Sequence, residues 1–104
     1  MRKHPNEFTR RQILKYFEDR FLNVEVNAVE NGYVIFFHRF SAIEACAVDD
    51  PAGRLLYDEE QDMWRLYWMS SRSQWHLYDR YDGLRDALDL MVSETAANLF
   101  HKVL

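Results

Sequence analysis

Five side chains in the second half of the chain, Arg54, Arg65, Tyr67, His76 and Tyr78, combine flat π-faces with cationic donors, the chemistry of a platform for stacking bases or sugars. Four of them fall within Met63 to Tyr78, Met-Trp-Arg-Leu-Tyr-Trp-Met-Ser-Ser-Arg-Ser-Gln-Trp-His-Leu-Tyr, which also holds all three tryptophans. Two runs of aromatic and branched residues split by polar Ser-Ser-Arg-Ser are the sequence form of a β-hairpin. Facing Met69 with Gln74 sets Trp68 against Trp75, Leu66 against Leu77 and Trp64 against Asp79 on one apolar side. The other side then pairs Tyr67 with His76 and Arg65 with Tyr78, and this is the expected ligand-binding surface. The same residues also suit a plain solvent-facing sheet held by cross-strand pairs.

Enzymatic motifs are absent from the sequence. His4, His38, His76 and His101 lie far apart, without the i, i+4 spacing or the cysteine partners of metal sites. There is no phosphate loop, no Gly-x-Ser-x-Gly elbow and no dinucleotide fingerprint among three glycines. Cys46, between two alanines, reads as a small hydrophobe rather than a nucleophile. No metal, cofactor or catalytic residue is therefore expected. The leading expectation is a non-enzymatic binding or protein-interaction domain that takes a protein or small-molecule ligand. The alternative is a small enzyme, or a nucleotide or single-stranded nucleic-acid binder, using the sheet face around His76.

The net charge of −4 argues against wrapping duplex DNA, because that affinity comes from Lys and Arg neutralising phosphates. The charge is uneven. Arg2, Lys3, Arg10, Arg11, Lys15 and Arg20 against Glu7, Glu18 and Asp19 give residues 1–20 a balance of +3, leaving −7 for the remainder. A basic first helix of this kind suits an acidic partner, a phosphate or simply a hydrated surface. A single cysteine excludes an internal disulfide and suits a reducing compartment. With no secretory pattern and no membrane-length apolar run, a cytoplasmic protein without membrane contact is expected.

A chain of 104 residues is expected to form one domain over 1–104. Phe8, Ile13, Leu14, Phe17 and Phe21 recur at helical spacing between an N-cap at Asn6 and a stop at Asn23. Asn31-Gly32 marks a hairpin turn between Val24 and Phe40, which pairs Val26 with Phe37 and Ala28 with Ile35 on the core side and Glu25 with His38 on the other. Residues 41–53 suit either a short helix or an irregular strand. Arg54 to Asp58 reads as a short strand with Leu55 and Tyr57 on the side of Leu66 and Trp64. Asp82 can cap a final helix carrying Leu84, Ala87, Leu88 and Met91, with a further helical turn beginning at Ser93 and Glu94 and carrying Leu99, Phe100, Val103 and Leu104. The expected fold is α+β: an antiparallel four- to five-stranded meander sheet with an N-terminal and a C-terminal helix packed on one face.

Trp64-x-Leu66-Tyr67-Trp68 followed by Trp75-His76-x-Tyr78-Asp79, behind Gly32-Tyr33-Val34-Ile35 and Leu56-Tyr57-Asp58, resembles a bacterial family, the domain of unknown function numbered 3024. The likeness spans most of residues 12–100. In place of that family's Asp-Pro-x-Gly-x-Phe-Trp-Gly type ending the chain has Glu94-Thr95-Ala96-Ala97-Asn98-Leu99-Phe100-His101, which favours a continued helix. The resemblance implies a bacterial, single-domain protein and carries over no activity or site residue. Helices on one face would leave Val34, Phe36, Phe40, Tyr67 and Met69 on the other, a patch large enough to predict a homodimer. Folding of residues 41–53 over the same face as a lid would instead give a monomer.

Overall fold

The computed structural model describes residues 3–41, 43 and 45–93; the side chains of residues 39–41 and 47–49 lie outside the description. The expected helical turn over residues 94–104 also lies outside the described residues.

Helix α1 spans Glu7–Glu18. Asn6 is extended and its side-chain oxygen accepts the Thr9 N–H at 2.7 Å, the N-cap that its position predicts. Glu7 sits in the first turn, where the helix dipole favours an anion. Hydrogen bonds from Arg10 and then Arg11 hold its carboxyl down at about 2. The buried residues Thr9, Ile13, Tyr16 and Phe17 form one stripe. The helix stops before Asn23. Leu22 N–H donates to the Phe17 carbonyl at 3.0 Å and Phe21 N–H to the Glu18 carbonyl at 2.9 Å, around Phe21 at φ 61°. This is a Schellman closure with phenylalanine at the position where glycine is usual.

The sheet is antiparallel throughout, in the order β1 (Val24–Val29), β2 (Gly32–Ser41), β3 (Cys46–Asp58), β4 (Met63–Met69), β5 (Trp75–Tyr81), and α2 (Leu84–Met91) follows. The first hairpin closes through Glu30-Asn31, with Val29 opposite Gly32 and Asn31 at φ 65°. Val26 therefore faces Ile35, and Ala28 faces Tyr33. This is a slip of two residues from the Asn31-Gly32 turn expected, and it leaves every side chain on its expected face. It also separates Glu25, now opposite Phe36, from His38, opposite Asp49. Gly32 serves the sheet rather than the turn: a Cβ there would lie 1.8 Å from the Leu55 carbonyl oxygen.

Residues 46–58 are one continuous strand, so residues 46–53 of the segment for which a lid is the alternative form part of the sheet instead. Its bulge, where Ile35 faces Gly53 and Phe36 faces Pro51, inserts the buried Ala52 and gives Pro51 a place where a missing N–H is tolerated. α2 begins after Gly83 rather than Asp82. Its buried Ala87, Leu88 and Met91 join Ile13 and Phe17 of α1 and Tyr33, Leu55 and Leu66 of the sheet in one core, so both helices cover the same face. Each large side chain fully buried there contributes roughly 1.5–3 kcal/mol.

The chain ahead of α1 straps across this core. The His4 ring packs against Tyr57 and Trp64, with centroids at 4.9 and 4.7 Å, and its Nδ1 lies 2.8 Å from the Tyr33 hydroxyl. Burial, then the nearby Lys3 charge, lowers the His4 pKa, with Glu59 opposing. No helix among the described residues is long and apolar enough to cross a membrane.

Candidate functional site

Neighbours along a strand point to opposite faces, and directly paired residues share one. Leu55 faces Leu66 and Tyr57 faces Trp64 on the helix side, so Arg54 opposite Tyr67 and Leu56 opposite Arg65 lie on the outer side. Arg54 also faces Val34 across β2. Three of the five expected site residues, Arg54, Arg65 and Tyr67, thus share the outer face.

His76 and Tyr78 do not. The β4–β5 loop runs from Ser70 to Gln74, closed by Ser70 N–H to the Gln74 carbonyl at 2.8 Å and Ser73 N–H to the Ser70 carbonyl at 2.9 Å, with Ser73 at φ 61°. Trp68 consequently faces His76, and Tyr67 faces Leu77. This is a slip of one residue from the expected register, and it turns the start of β5 over. The His76 ring stacks on Trp68, 4.9 Å between centroids, on the helix side of the sheet. Tyr78 packs against the core. A bulge at Tyr78 then resets the register, pairing Leu66 with Asp79, Arg65 with Arg80 and Trp64 with Tyr81. His76 and Tyr67 therefore point away from each other across the sheet and cannot act on one substrate.

The arginines of the outer face are not equivalent. Arg65 donates to the Asp58 carboxylate at 2.8 Å, and that carboxylate also accepts the Glu60 and Gln61 N–H groups at 3.0 and 3.3 Å. Arg54 makes no hydrogen bond or ion pair with any described residue, and its Nε is buried without an acceptor. Around it Val34 is buried, Leu56 and Tyr67 are half-buried and Leu77 is 44% exposed. Of the patch expected to drive dimerisation, Val34 is thus covered within the chain, while Phe36 and Met69 are half-buried and the Phe40 side chain lies outside the description.

Sequence reasoning missed two other clusters. One is the His4 box. The second is a groove between the helices, where the Tyr16 hydroxyl donates to the Asp89 carboxylate across a separation of 73 residues. Neither periodicity nor a motif signals such a pairing.

This architecture defines a small α+β meander domain with one face buried under helices and one cationic, aromatic face. A family described as domain of unknown function DUF3024 matches residues 2–101, and the chain belongs to that family. No curated protein and no solved structure matches the chain.

Proposed function

We propose that the protein is a non-catalytic binding domain of the bacterial cytoplasm, and that its outer sheet face docks an acidic peptide segment of a protein partner at Arg54. The observation that carries this reading is the buried Arg54 Nε without an acceptor. It marks a guanidinium that the described residues leave without an acceptor or counter-ion, and a carboxylate docked on this face would give it charge-assisted hydrogen bonds. Arg80 stands opposite Arg65 on the same face, so three arginines gather where one carboxylate, Asp58, is engaged. The face is a sheet surface carrying Arg, Tyr, Leu and Met, the composition of protein interface centres rather than of an enclosed small-molecule pocket.

The test is fluorescence anisotropy with a labelled peptide of alternating Glu and Leu. Saturable binding that is lost in Arg54→Met and kept in Arg72→Gln supports the reading. Equal binding by both variants, or tighter binding of an oligo-dT probe than of the peptide, would overturn it.

A symmetric homodimer is the second reading, favoured by a different observation. Residues 46–53 of β3 pair with β2 alone among the described strands, because β4 pairs only with Arg54–Asp58. A strand that extends beyond its neighbour in this way is a template for a second copy. Light scattering decides it, since a monomeric mass up to about millimolar concentration excludes a contact worth about 4 kcal/mol or more.

A further inference from the structure

We propose that the groove between α1 and α2 is a second binding site, for a small organic oxyanion whose charged head meets Arg85, Arg20 and Lys15 and whose apolar body lies on Leu84 and Leu88. It stands on the opposite side of the sheet from Arg54 and is independent of the reading of that face.

The groove encloses about 440 Å³, the size of a small-molecule site, and those five residues together with Tyr16 form most of its lining. Its wall is built. The Arg20 guanidinium lies 3.5 Å from the centre of the Tyr16 ring and donates to the Tyr16 carbonyl at 2.9 Å, so it is held in place rather than waving in solvent. The Tyr16 hydroxyl is fixed in turn by its hydrogen bond to Asp89. Tyr16 and Leu88 are buried, giving the groove a rigid apolar floor.

The charge balance points to an anion. Asp19, itself part of the lining, is paired with Lys15 at 3.5 Å, and Asp89 is engaged by the Tyr16 hydroxyl and by Arg20 at 3.9 Å, which leaves Arg85 as the lining cation without an ion-pair partner among the described residues. Arg85 approaches the same ring, 5.9 Å from its centre, and makes no hydrogen bond or ion pair with any described residue. Two guanidinium groups thus border one aromatic ring. A carboxylate or phosphate lying between them would draw on donors from both, and arginine's planar fork matches the geometry of either group. Leu84 and Leu88, one helical turn apart on α2, provide the surface for whatever the oxyanion is attached to.

The probes are phenyl phosphate, benzoate, inorganic phosphate and benzyl alcohol, titrated into the full chain while the backbone amide resonances of α1 and α2 are followed by NMR. Phenyl phosphate or benzoate is expected to saturate, at least about tenfold tighter than inorganic phosphate or benzyl alcohol, because neither control has both halves. Arg85→Gln is expected to weaken binding about tenfold or more, the loss typical of a charge-assisted contact. Lys15→Gln should weaken it less, and Arg72→Gln and Arg54→Met should leave it unchanged. Arg85 is exposed, so its variant tests the contact without disturbing the core. The proposal is overturned if neither organic anion saturates below about 10 mM, if benzyl alcohol binds as well as phenyl phosphate, or if Arg72→Gln weakens binding as much as Arg85→Gln.

Discussion

Replacing Arg54 by methionine should make the unliganded protein more stable and abolish peptide binding. The Arg54 Nε is buried with no acceptor, and the guanidinium has no counter-ion among the described residues. Methionine keeps the unbranched stem beside Val34 and Tyr67 while removing the donor and the charge. An unsatisfied buried donor costs about 1–3 kcal/mol. Because the residue is only half-buried, the lower part of that range applies, about 1–2 kcal/mol. For a domain of this size each kcal/mol moves the melting temperature by roughly 4–8 °C, so a rise of at least about 4 °C is expected. Urea unfolding provides the cleaner measure, as a higher midpoint with an unchanged slope. Arg54→Lys separates charge from geometry: it keeps a cation but loses the planar fork, and should bind peptide poorly. A loss of more than about 1 kcal/mol in Arg54→Met would refute the reasoning, because it would mean that the guanidinium is already compensated inside the fold.

Gly32→Ala should destabilise by about 3 kcal/mol or prevent folding, since its Cβ would fall 1.8 Å from the Leu55 carbonyl oxygen and both strands would have to part; equilibrium urea unfolding measures it. Phe21→Gly should stabilise by about 1 kcal/mol, because Phe21 is 97% exposed and holds a left-handed backbone that glycine adopts freely; an unchanged or lower urea midpoint would count against it. The lowered His4 pKa means that the neutral ring is preferred in the folded protein. Its contribution is therefore fully present above about 6.5 and is lost as pH falls through the lower folded-state value. His4→Phe, which fills the same box of Tyr33, Tyr57 and Trp64, should flatten the fall in stability just below pH 6.5, read as urea midpoints across that range.

The two hairpins show what could be read from the residues alone. In β1–β2 the turn falls two residues away from its expected pairing, and Val24, Val26, Tyr33 and Ile35 still reach the core, because a slip of two preserves the faces. In β4–β5 the slip is one, and His76 moves from the outer face to a stack on Trp68. The cause is Ser73 at φ 61°, which lengthens the loop to five residues; serine gives no signal of a left-handed backbone as glycine or asparagine would. The helices and their capping Asn6 follow from local chemistry and were legible. The Tyr16 and Asp89 pairing depends on how two helices dock on a sheet, which no local pattern encodes.

The bulge at Tyr78 is what allows the slipped hairpin to fold and also what charges the outer face. Without it, the register that sets His76 against Trp68 would carry on to bring Tyr78 beside Leu66 and Arg80 beside Trp64, forcing a guanidinium against the helices. Burying an unpaired charge there would cost several kcal/mol. One extra residue in β5 instead turns Tyr81 inward, where it packs on the core, and sends Arg80 to the outer face opposite Arg65. Like charges directly opposite each other are mildly destabilising, and Asp58 relieves only Arg65. The loop slip removes His76 and Tyr78 from the expected site, and the bulge that follows it keeps Arg80 on the outer face, adding a cation to one face of a protein whose net charge is −4. An acidic segment of the kind proposed as the ligand would meet Arg54, Arg65 and Arg80 on that face, of which Arg65 alone is engaged by a carboxylate among the described residues.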